Sequence, residues 1–376
     1  MRDSKPPHPA RAFARNRPHP QRATINDVAA AIGVSKGTVS RALNGYSDIA
    51  EATRLRISKA AQDLGYSPLP HAQAIRTGRV RALGLVLQIY EHDGHRPFLA
   101  DFLAGVSQVA SDEGWTLTIA NAARQEDLAP VLKRLVAERK ADGFIVARTM
   151  LDDPRVAHLR AADVPFVLYG RTRVEDGCAW FDIESDVAME AAVARLARFG
   201  HERIGFVCGD PAYHYNALRL RGYMAGMHAA GLEIAAELRI QNATTSLQGL
   251  DATRALLALP APPTAIVFAT DLAALGAWPA AQEAGLAIGR DLSVIGYDGL
   301  PEGAVVQPGL TSFAVDSRAA GEELGMLLIR RCRGESPEDL RRTARAKLVA
   351  RGSDGPPAQT SKILARRIAA ARSPQA

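Results

Sequence analysis

The segment 24–45, TINDVAAAIGVSKGTVSRALNG, most narrowly constrains how this chain of 376 residues can fold. Its apolar residues recur at helical spacing in two short runs. Thr24 and Ser35 precede the two runs, where a hydroxyl group caps a helix N-terminus. Gly33 stands between the runs, where glycine can end a helix in the left-handed conformation. The pattern therefore predicts two short helices joined by a tight turn.

The second predicted helix has an outer face of cations, small side chains and one amide. Its residues are Lys36, Gly37, Ser40, Arg41 and Asn44. A face of this kind can enter the major groove of DNA with its N-terminal end toward the bases. The alternative is an ordinary helical hairpin with a solvated polar face, because such patterns also arise by chance.

The residues after this segment predict a third helix over 53–66. Its apolar positions are Leu55, Ile57, Ala60, Ala61 and Leu64, and Gly65 ends it. Three short helices with a shared core make a plausible small domain. We therefore expect a helix-turn-helix domain over residues 24–68.

Basic charge lies at both ends of the chain. Residues 1–79 carry a balance of +8, residues 80–340 one of −10, and residues 341–376 one of +8. Positive charge beside a helix-turn-helix neutralises DNA phosphates. Residues 1–23 are rich in proline and basic residues, which predicts a disordered arm. It is either an extra DNA contact or a leader without a specific partner.

The sequence predicts a cytoplasmic protein that needs no metal or other cofactor. Its three cysteines are far apart and show no zinc-binding spacing, so we expect reduced thiols at Cys178, Cys208 and Cys332. Three loop histidines also lack ligand spacing: His92, His95 and His214. No apolar run is as long as a membrane span, and the N-terminus has no apolar signal region.

Beyond residue 80, strand-like apolar runs alternate with amphipathic helical stretches. The runs lie at 82–88, 116–120, 143–147, 165–169, 203–208, 264–269 and 292–297. This rhythm predicts an α/β fold of doubly wound parallel sheets, long enough for two lobes. A helix over 316–333 and a strand over 346–350 follow. The basic tail 353–376 predicts disorder, because its apolar residues are too sparse for a coiled-coil seam.

Several polar residues lie after predicted strands, where this architecture binds ligands, and one of them, Arg219, lies at the start of the following helix. They are Arg171, Arg219, Thr270, Asp271 and Asp298. An arginine donates hydrogen bonds and a carboxylate accepts them, which suits a polyhydroxy ligand such as a sugar. Each residue could instead be a surface cap or a loop ion pair, and Asp271 is also a natural helix cap. The candidate aromatic walls are Phe98, Trp180, Tyr213 and Tyr215.

The segments TINDVAAAIGVSKGTVSRALNG and ATRLRISKAAQDLGYSP resemble the DNA-binding domain of the LacI family of bacterial transcriptional regulators. The resemblance continues to LVARGSDGPP, near residue 357. It implies an all-α three-helix headpiece followed by a periplasmic-binding-protein-like effector domain. Lobe 1 would comprise about 80–181 and 312–343, and lobe 2 about 182–311 and 344–352. Phe98, Arg219 and Asp298 resemble the family's effector contacts.

The linker 69–79 resembles the family's hinge helix in Ala72, Gln73 and Ile75. In the family, two hinge helices pair in the minor groove of DNA, and an apolar side chain wedges between base pairs. Ile75 takes that position here, although a β-branched side chain is stiffer than leucine. Leu69 stands where the family has asparagine. We expect so short a helix to fold only on DNA, in a dimer.

The resemblance implies a homodimer, with a tetramer still open, that represses carbohydrate uptake and catabolism genes by binding operator DNA. Lys36 and Arg41 would contact bases or phosphates, and Thr24, Ser35 and Thr38 would lie at the same interface. The effector would be a sugar, with a purine, a nucleoside or another metabolite as the alternative.

The two other functional classes for such a scaffold are an enzyme and a solute-binding protein. An enzyme on this scaffold would need a phosphate loop, GxGxxG or GxxxxGK[ST], or the nucleophile elbow GxSxG. The sequence has neither phosphate loop, and its GxSxG match, GVSKG at 33–37, lies at the turn between the two predicted helices and not after a strand. A function as a solute-binding protein would account for the two lobes but not for the N-terminal helix-turn-helix domain.

Overall fold

The computed structural model describes residues 23–66, 78–88, 97–122 and 128–372. The chain forms two compact units that divide between Arg79 and Val80. Within the described ranges, no helix is both long and apolar enough to cross a membrane.

The first unit is a bundle of three helices around a small apolar core. They are α1 (Ile25–Ile32), α2 (Lys36–Leu43) and α3 (Glu51–Asp63). Thr24 and Ser35 are the N-caps of α1 and α2, and Gly33 ends α1 with a φ of +70°. The predicted caps and turn are thus confirmed.

Two predicted core positions of α3 are wrong. Leu55 is 64% exposed and Leu64 is 41% exposed. Ile57 and Ala61 form the buried stripe of this helix instead. They are four residues apart and share a face, whereas Leu55 precedes Ile57 by two positions and so points to the other side.

Lobe 1 of the second unit is a parallel six-stranded sheet with helices on its faces. Its strand order is β2-β1-β3-β4-β5-β11. The strands are β1 (Ala82–Gln88), β2 (Thr116–Ala122), β3 (Gly143–Val146), β4 (Phe166–Tyr169), β5 (Ala179–Ile183) and β11 (Arg341–Ala344). The helices are α4 (Pro97–Asp112), α5 (Leu128–Ala137), α6 (Pro154–Ala161) and α13 (Ser317–Cys332).

Lobe 2 is a second six-stranded sheet, in the order β7-β6-β8-β9-β10-β12, and only β12 is antiparallel to its neighbour. The strands are β6 (Ile204–Val207), β7 (Arg239–Ile240), β8 (Ala265–Phe268), β9 (Ser293–Asp298), β10 (Thr311–Ala314) and β12 (Lys347–Val349). The helices are α7 (Ser185–Phe199), α8 (His214–Ala229), α9 (Ser246–Leu257), α10 (Asp271–Ala274), α11 (Ala277–Glu283) and α12 (Glu302–Val305).

The chain passes between the two sheets three times: after β5, after β10 and after β11. The assignment of residues 312–314 to lobe 1 is therefore wrong, because β10 pairs with β9 in the sheet of lobe 2. The doubly wound α/β prediction is confirmed.

The C-terminal tail is not disordered over the residues described. It forms helix α14 (Ser361–Arg372), whose Leu364 and Ile368 are buried in the core of lobe 2. Arg367 Nη1 lies 2.7 Å from a carboxylate oxygen of Asp291. Burial alone would raise the pKa of Asp291, but bonds from Arg290, Arg367 and an amide lower it to about 2. Two apolar residues four apart suffice to dock a helix on its own lobe, although they cannot form a coiled coil.

A buried histidine ties the segment before α14 to the sheet of lobe 2. His201 Nδ1 lies 2.8 Å from the Thr264 hydroxyl, and Nε2 lies 2.8 Å from the Gly355 carbonyl. A carbonyl only accepts, so Nε2 carries the proton and the ring can be neutral. Burial lowers the pKa of His201, although the Gly355 carbonyl and Asp354 oppose this.

This lowered pKa predicts a loss of stability in mild acid. Below a pH of about 6.5 the unfolded chain binds a proton at His201 before the native chain does, which favours unfolding. Between pH 7.5 and 5.5, the melting temperature of the wild-type protein should fall further than that of the His201→Gln variant. The control His228→Gln removes an exposed histidine and should follow wild type. Parallel pH profiles of wild type and His201→Gln would contradict the assignment.

Candidate functional site

In the first unit, the N-terminal end of α2 presents an exposed face with little bulk. Lys36, Gly37 and Arg41 are exposed. The Ser35 hydroxyl accepts the amide of Thr38 at 3.1 Å and lies 2.9 Å from the Thr38 hydroxyl. These short side chains are held against the helix end, so a phosphate could approach the amides there.

The other predicted DNA contacts on this unit take part in local hydrogen bonds. Asn44 Nδ2 donates to the Ser40 carbonyl at 2.6 Å. Thr24 forms a capping box with Asp27, and the Thr24 bonds lower the pKa of that carboxyl. Arg41 pairs with Asp48, and its Cζ lies 5.8 Å from the centre of the Tyr46 ring. To contact a base, the Arg41 guanidinium would therefore have to leave the Asp48 carboxylate.

Two predicted site residues lie wholly or partly outside the description. Ile75 is outside the described residues, as is the rest of the linker up to Thr77. Phe98 belongs to the first turn of α4, but its side chain is outside the description.

In the second unit, Arg219 carries a nearly buried positive charge at the carboxyl ends of the strands of lobe 2. It is 8% exposed and lies in the second turn of α8. Its Nη1 donates to the Ala269 carbonyl at the end of β8. Its Cζ lies 3.8 Å from the ring centre of Tyr297 and 5.0 Å from that of Tyr215. Two aromatic faces thus enclose the guanidinium and offset part of its lost hydration.

Asp298 stands opposite this guanidinium, at the end of β9. Its Oδ1 lies 3.6 Å from Arg219 Nη2, and its side chain is about one-third exposed. Its φ of +120° is unusual for a residue other than glycine. Strained backbone of this kind concentrates at functional sites, where it aims a side chain. The structure thus brings together the two predicted sugar-contacting residues.

Asp271, a candidate ligand contact from the sequence, is not open to a ligand. Its side chain is fully buried and accepts hydrogen bonds from the Ser312 hydroxyl at 2.6 Å and from the amides of Gly299 and Leu300 at 2.8 and 2.7 Å. A Cβ at Gly296 would overlap its carboxylate. Burial raises the pKa of Asp271, against these bonds. Its role is to hold the turn that follows Asp298.

The remaining two predicted effector residues occupy different settings. Thr270 is the N-cap of α10 and remains partly exposed. Arg171 belongs to lobe 1, where its Nε donates to Asp182 at 2.9 Å and its Cζ lies 4.4 Å from the Trp180 ring centre. Asp182 also lies 3.3 Å from Nε2 of His214, which is in lobe 2. One buried carboxylate therefore bridges the two lobes.

The sequence analysis did not identify two tyrosines at strand ends, Tyr169 in lobe 1 and Tyr297 in lobe 2. Tyr169 ends β4 in lobe 1 and stacks on Phe102 at 5.6 Å. Burial raises its pKa, and the nearby Tyr297 and Asp298 add to this. Burial also raises the pKa of Tyr297 to about 12, although Arg219 opposes the shift. Both tyrosines end apolar runs, and that position was the available signal.

The crevice, the region where the strand ends of the two lobes meet, thus combines the buried cation of Arg219, the carboxylates of Asp182 and Asp298, and several aromatic rings. Such a set can orient a small polar molecule by hydrogen bonds. Among the described residues, no group of three or more histidine, cysteine, aspartate or glutamate side chains could hold a metal ion.

Comparisons with known proteins match both units. Residues 24–68 match the model of bacterial regulatory proteins of the lacI family, and residues 193–353 match a periplasmic binding protein-like domain. The chain is 32% identical over 322 residues to the HTH-type transcriptional regulator RafR of Escherichia coli, covering 85% of this chain and 95% of RafR. It is 32% identical to AglR of Rhizobium meliloti (strain 1021), another HTH-type transcriptional regulator, covering 90% of this chain and 96% of AglR.

Solved structures give the same result. A complex of the transcriptional regulator CelR with cellobiose aligns with a TM-score of 0.69 at 30% identity, covering 88% of this chain and all of that one. The lac repressor dimer bound to operator and the anti-inducer ONPF aligns with a TM-score of 0.74, covering 89% of this chain and all of that one. At 24% identity, this second likeness concerns the fold alone.

A helix-turn-helix headpiece on a two-lobed sensor defines a class, the ligand-responsive bacterial transcriptional regulators. Within that class, this chain belongs to the lacI family of bacterial regulatory proteins. The resemblance seen in the sequence is confirmed, and the protein is a DNA-binding regulator and not an enzyme.

The structural role of Asp271 predicts a large loss of stability in Asp271→Ala. Three buried donors would lose their acceptor, which should lower the free energy of unfolding by about 3 kcal/mol or more. Urea unfolding measures this, and Asp271→Asn, which keeps one carbonyl acceptor, should lose less. An alanine variant as stable as wild type would show that these contacts contribute little.

Proposed function

We propose that this regulator represses carbohydrate uptake and catabolism genes as a homodimer in the cytoplasm, and that a sugar bound between its lobes switches it. The observation that carries the proposal is the pairing of Arg219 and Asp298 at the strand ends. The guanidinium donates, the carboxylate accepts, and a sugar hydroxyl does both.

The aromatic rings favour a sugar over a purine or nucleoside. A planar base would need an open ring face for stacking. Arg219 lies against Tyr215 and Tyr297, and Arg171 lies against Trp180. Guanidinium groups thus cover one face of each of these three rings, which supports recognition by hydrogen bonds, as polyhydroxy ligands require. CelR, a relative by structure, has been solved with cellobiose bound.

Exposed apolar side chains on lobe 2 support the homodimer. Val305 is 76% exposed and Leu247 is 68% exposed. Leu247 is the second residue of α9, which packs on α11, and Trp278 of α11 donates to the Gln307 carbonyl just after α12. These side chains therefore lie on neighbouring elements, where a second copy could cover them. The tail favours a dimer over a tetramer, because Leu364 and Ile368 are already buried.

On DNA, α2 would enter the major groove of each half of a pseudo-palindromic operator. Arg41 and Lys36 would reach bases or phosphates, and Ser35 and Thr38 would anchor to phosphate. The linker 69–79 would form the hinge, with Ile75 as the minor-groove wedge. Closure of the crevice would change DNA affinity only through a difference in effector affinity between two states.

Arg41→Ala should weaken operator binding by about 1–3 kcal/mol at fixed salt if the arginine contacts a base through two hydrogen bonds. Fluorescence anisotropy with labelled operator and a random competitor duplex measures the change.

The matched control is Lys59→Ala, which removes one exposed cation from α3 and should lower affinity for operator and competitor alike. Sedimentation should give a mass of two chains for wild type and both variants. Equal loss of operator and competitor binding in Arg41→Ala would reduce Arg41 to a phosphate contact, and a monomeric mass would contradict the dimer.

Asp298→Ala should abolish the effector response while operator binding stays intact, because the ligand loses a charged acceptor worth about 1.5–3 kcal/mol. The effector is first found by thermal-shift screening of monosaccharides, disaccharides and nucleosides, since a ligand of the native state raises the melting temperature. Calorimetry then compares wild type with the variant.

Two further variants accompany this measurement. Asp298→Asn keeps an acceptor oxygen and a residue type that tolerates positive φ, so it should bind with intermediate affinity. Asp251→Ala removes an exposed carboxylate of the same lobe and should bind as wild type. Normal effector affinity in Asp298→Ala would remove the proposed role, and stabilisation by nucleosides alone would favour the alternative effector.

A further inference from the structure

Backbone hydrogen bonds join the two lobes where residues 148–151 meet residues 212–214. The amide of Leu151 donates to the Ala212 carbonyl at 2.8 Å, and the amide of His214 donates to the Thr149 carbonyl at 2.9 Å. Between these bonds, Met150 and Tyr213 form an antiparallel bridge. Lobe 1 contributes residues 148–151 and lobe 2 contributes residues 212–214. We call this pair of segments the interlobe clasp.

A buried ion pair holds the lobe 1 half of the clasp. The side chains of Asp153 and Arg155 are 0% and 7% exposed, and Arg155 Nη2 lies 2.6 Å from Asp153 Oδ2. The same carboxylate oxygen accepts the amide of Met150 at 3.1 Å. Arg155 Nη2 also donates to the carbonyls of Ala147 and Arg148, each at 3.1 Å. Two of these bonds thus hold the backbone of the clasp, at Arg148 and Met150, and a third holds the adjacent Ala147.

This pair is unlike the other ion pair of the same loop. Arg173 and Asp152 lie 3.1 Å apart, but their side chains are 62% and 74% exposed. Exposed pairs contribute little to stability, whereas breaking a buried pair leaves an uncompensated charge. The conformation of residues 148–151 therefore depends on the side chains of Asp153 and Arg155 far more than on the side chain of Arg173.

The lobe 2 half of the clasp leads directly to the effector site. Asn216 is fully buried, donates to the Asp210 carbonyl at 3.0 Å and accepts the amide of Gly209 at 3.3 Å, which fixes the segment before His214. His214 is the first residue of α8, and Arg219 follows five residues later on the same helix. Displacement of the clasp would therefore move the helix that carries Arg219.

We propose that Asp153 and Arg155 are positioning residues for the effector response, because by holding the interlobe clasp they set how readily the two lobes close. The proposal rests on the proposed function, in which closure around an effector is the switch. The structure gives neither side chain a contact with the crevice residues Arg219 and Asp298. Weakening the clasp raises the free energy of the closed arrangement of the lobes. The apparent affinity for an effector that binds this arrangement therefore falls.

Hydrogen exchange of the full chain, without DNA or ligand, tests the clasp directly. The amides of Leu151 and His214 are its two donors, so they should exchange at least about tenfold faster in Arg155→Met than in wild type. The amide of Phe206 in β6 reports on the core of lobe 2 and should not change. Arg173→Met removes the same charge from the exposed pair and should leave both clasp amides at the wild-type rate.

A second variant keeps the test decisive if Arg155→Met unfolds because it strands the Asp153 charge. Asp153→Asn/Arg155→Met leaves no buried charge and should show the same selective acceleration. A folded variant with wild-type exchange at Leu151 and His214 would overturn the proposal.

Calorimetry separates this proposal from the proposed function. The sugar that stabilises wild type should bind the folded variant about tenfold or more weakly, in proportion to the exchange result. Faster exchange with unchanged sugar affinity would overturn the positioning role. If no sugar binds wild type, the proposed function fails, while the exchange rates still report whether the pair holds the clasp.

Discussion

The burial of the Arg219 guanidinium is the constraint on which the rest of the crevice depends. A charge that is 8% exposed must recover its lost hydration from the protein. The Ala269 carbonyl, the Asp298 carboxylate and two tyrosine rings supply this, and each stands at a strand end of lobe 2 or on α8. The Arg219 Nε is buried without a hydrogen-bond partner among the described residues.

Asp271 and the interlobe clasp connect Asp298 and Arg219 to the rest of the two lobes. Asp271 holds the turn that aims Asp298, and the clasp holds the start of the helix that bears Arg219. Asp182 adds a side-chain link, since its carboxylate binds Arg171 of lobe 1 and His214 of lobe 2. The residues proposed for lobe closure and those proposed for effector recognition are thus connected by direct contacts, as a ligand-driven switch requires.

Local signals explain why much of the fold could be predicted from the sequence. Caps at Thr24 and Ser35 and a left-handed Gly33 act over a few residues, and buried strands such as Ala82–Gln88 are continuous apolar runs. Strands β5, β7, β10 and β11 were missed. Strand β7 has only two residues, and RRTA of β11 is polar at the edge of a sheet. The tail helix depends on a core supplied by distant residues, which no local pattern encodes.

The site could be predicted only in part, for the same reason. Arg219 and Asp298 follow strands, so their convergence was expected, but the burial of Asp271 depends on Gly296 in the neighbouring strand. The coupling between the headpiece and the sensor domain is tested most directly by the reciprocity of binding. Operator affinity is measured with and without saturating effector, and effector affinity is measured with and without saturating operator. One coupled switch predicts the same ratio, different from one, in both titrations. Ratios of one in both would show that the headpiece and the sensor domain act independently.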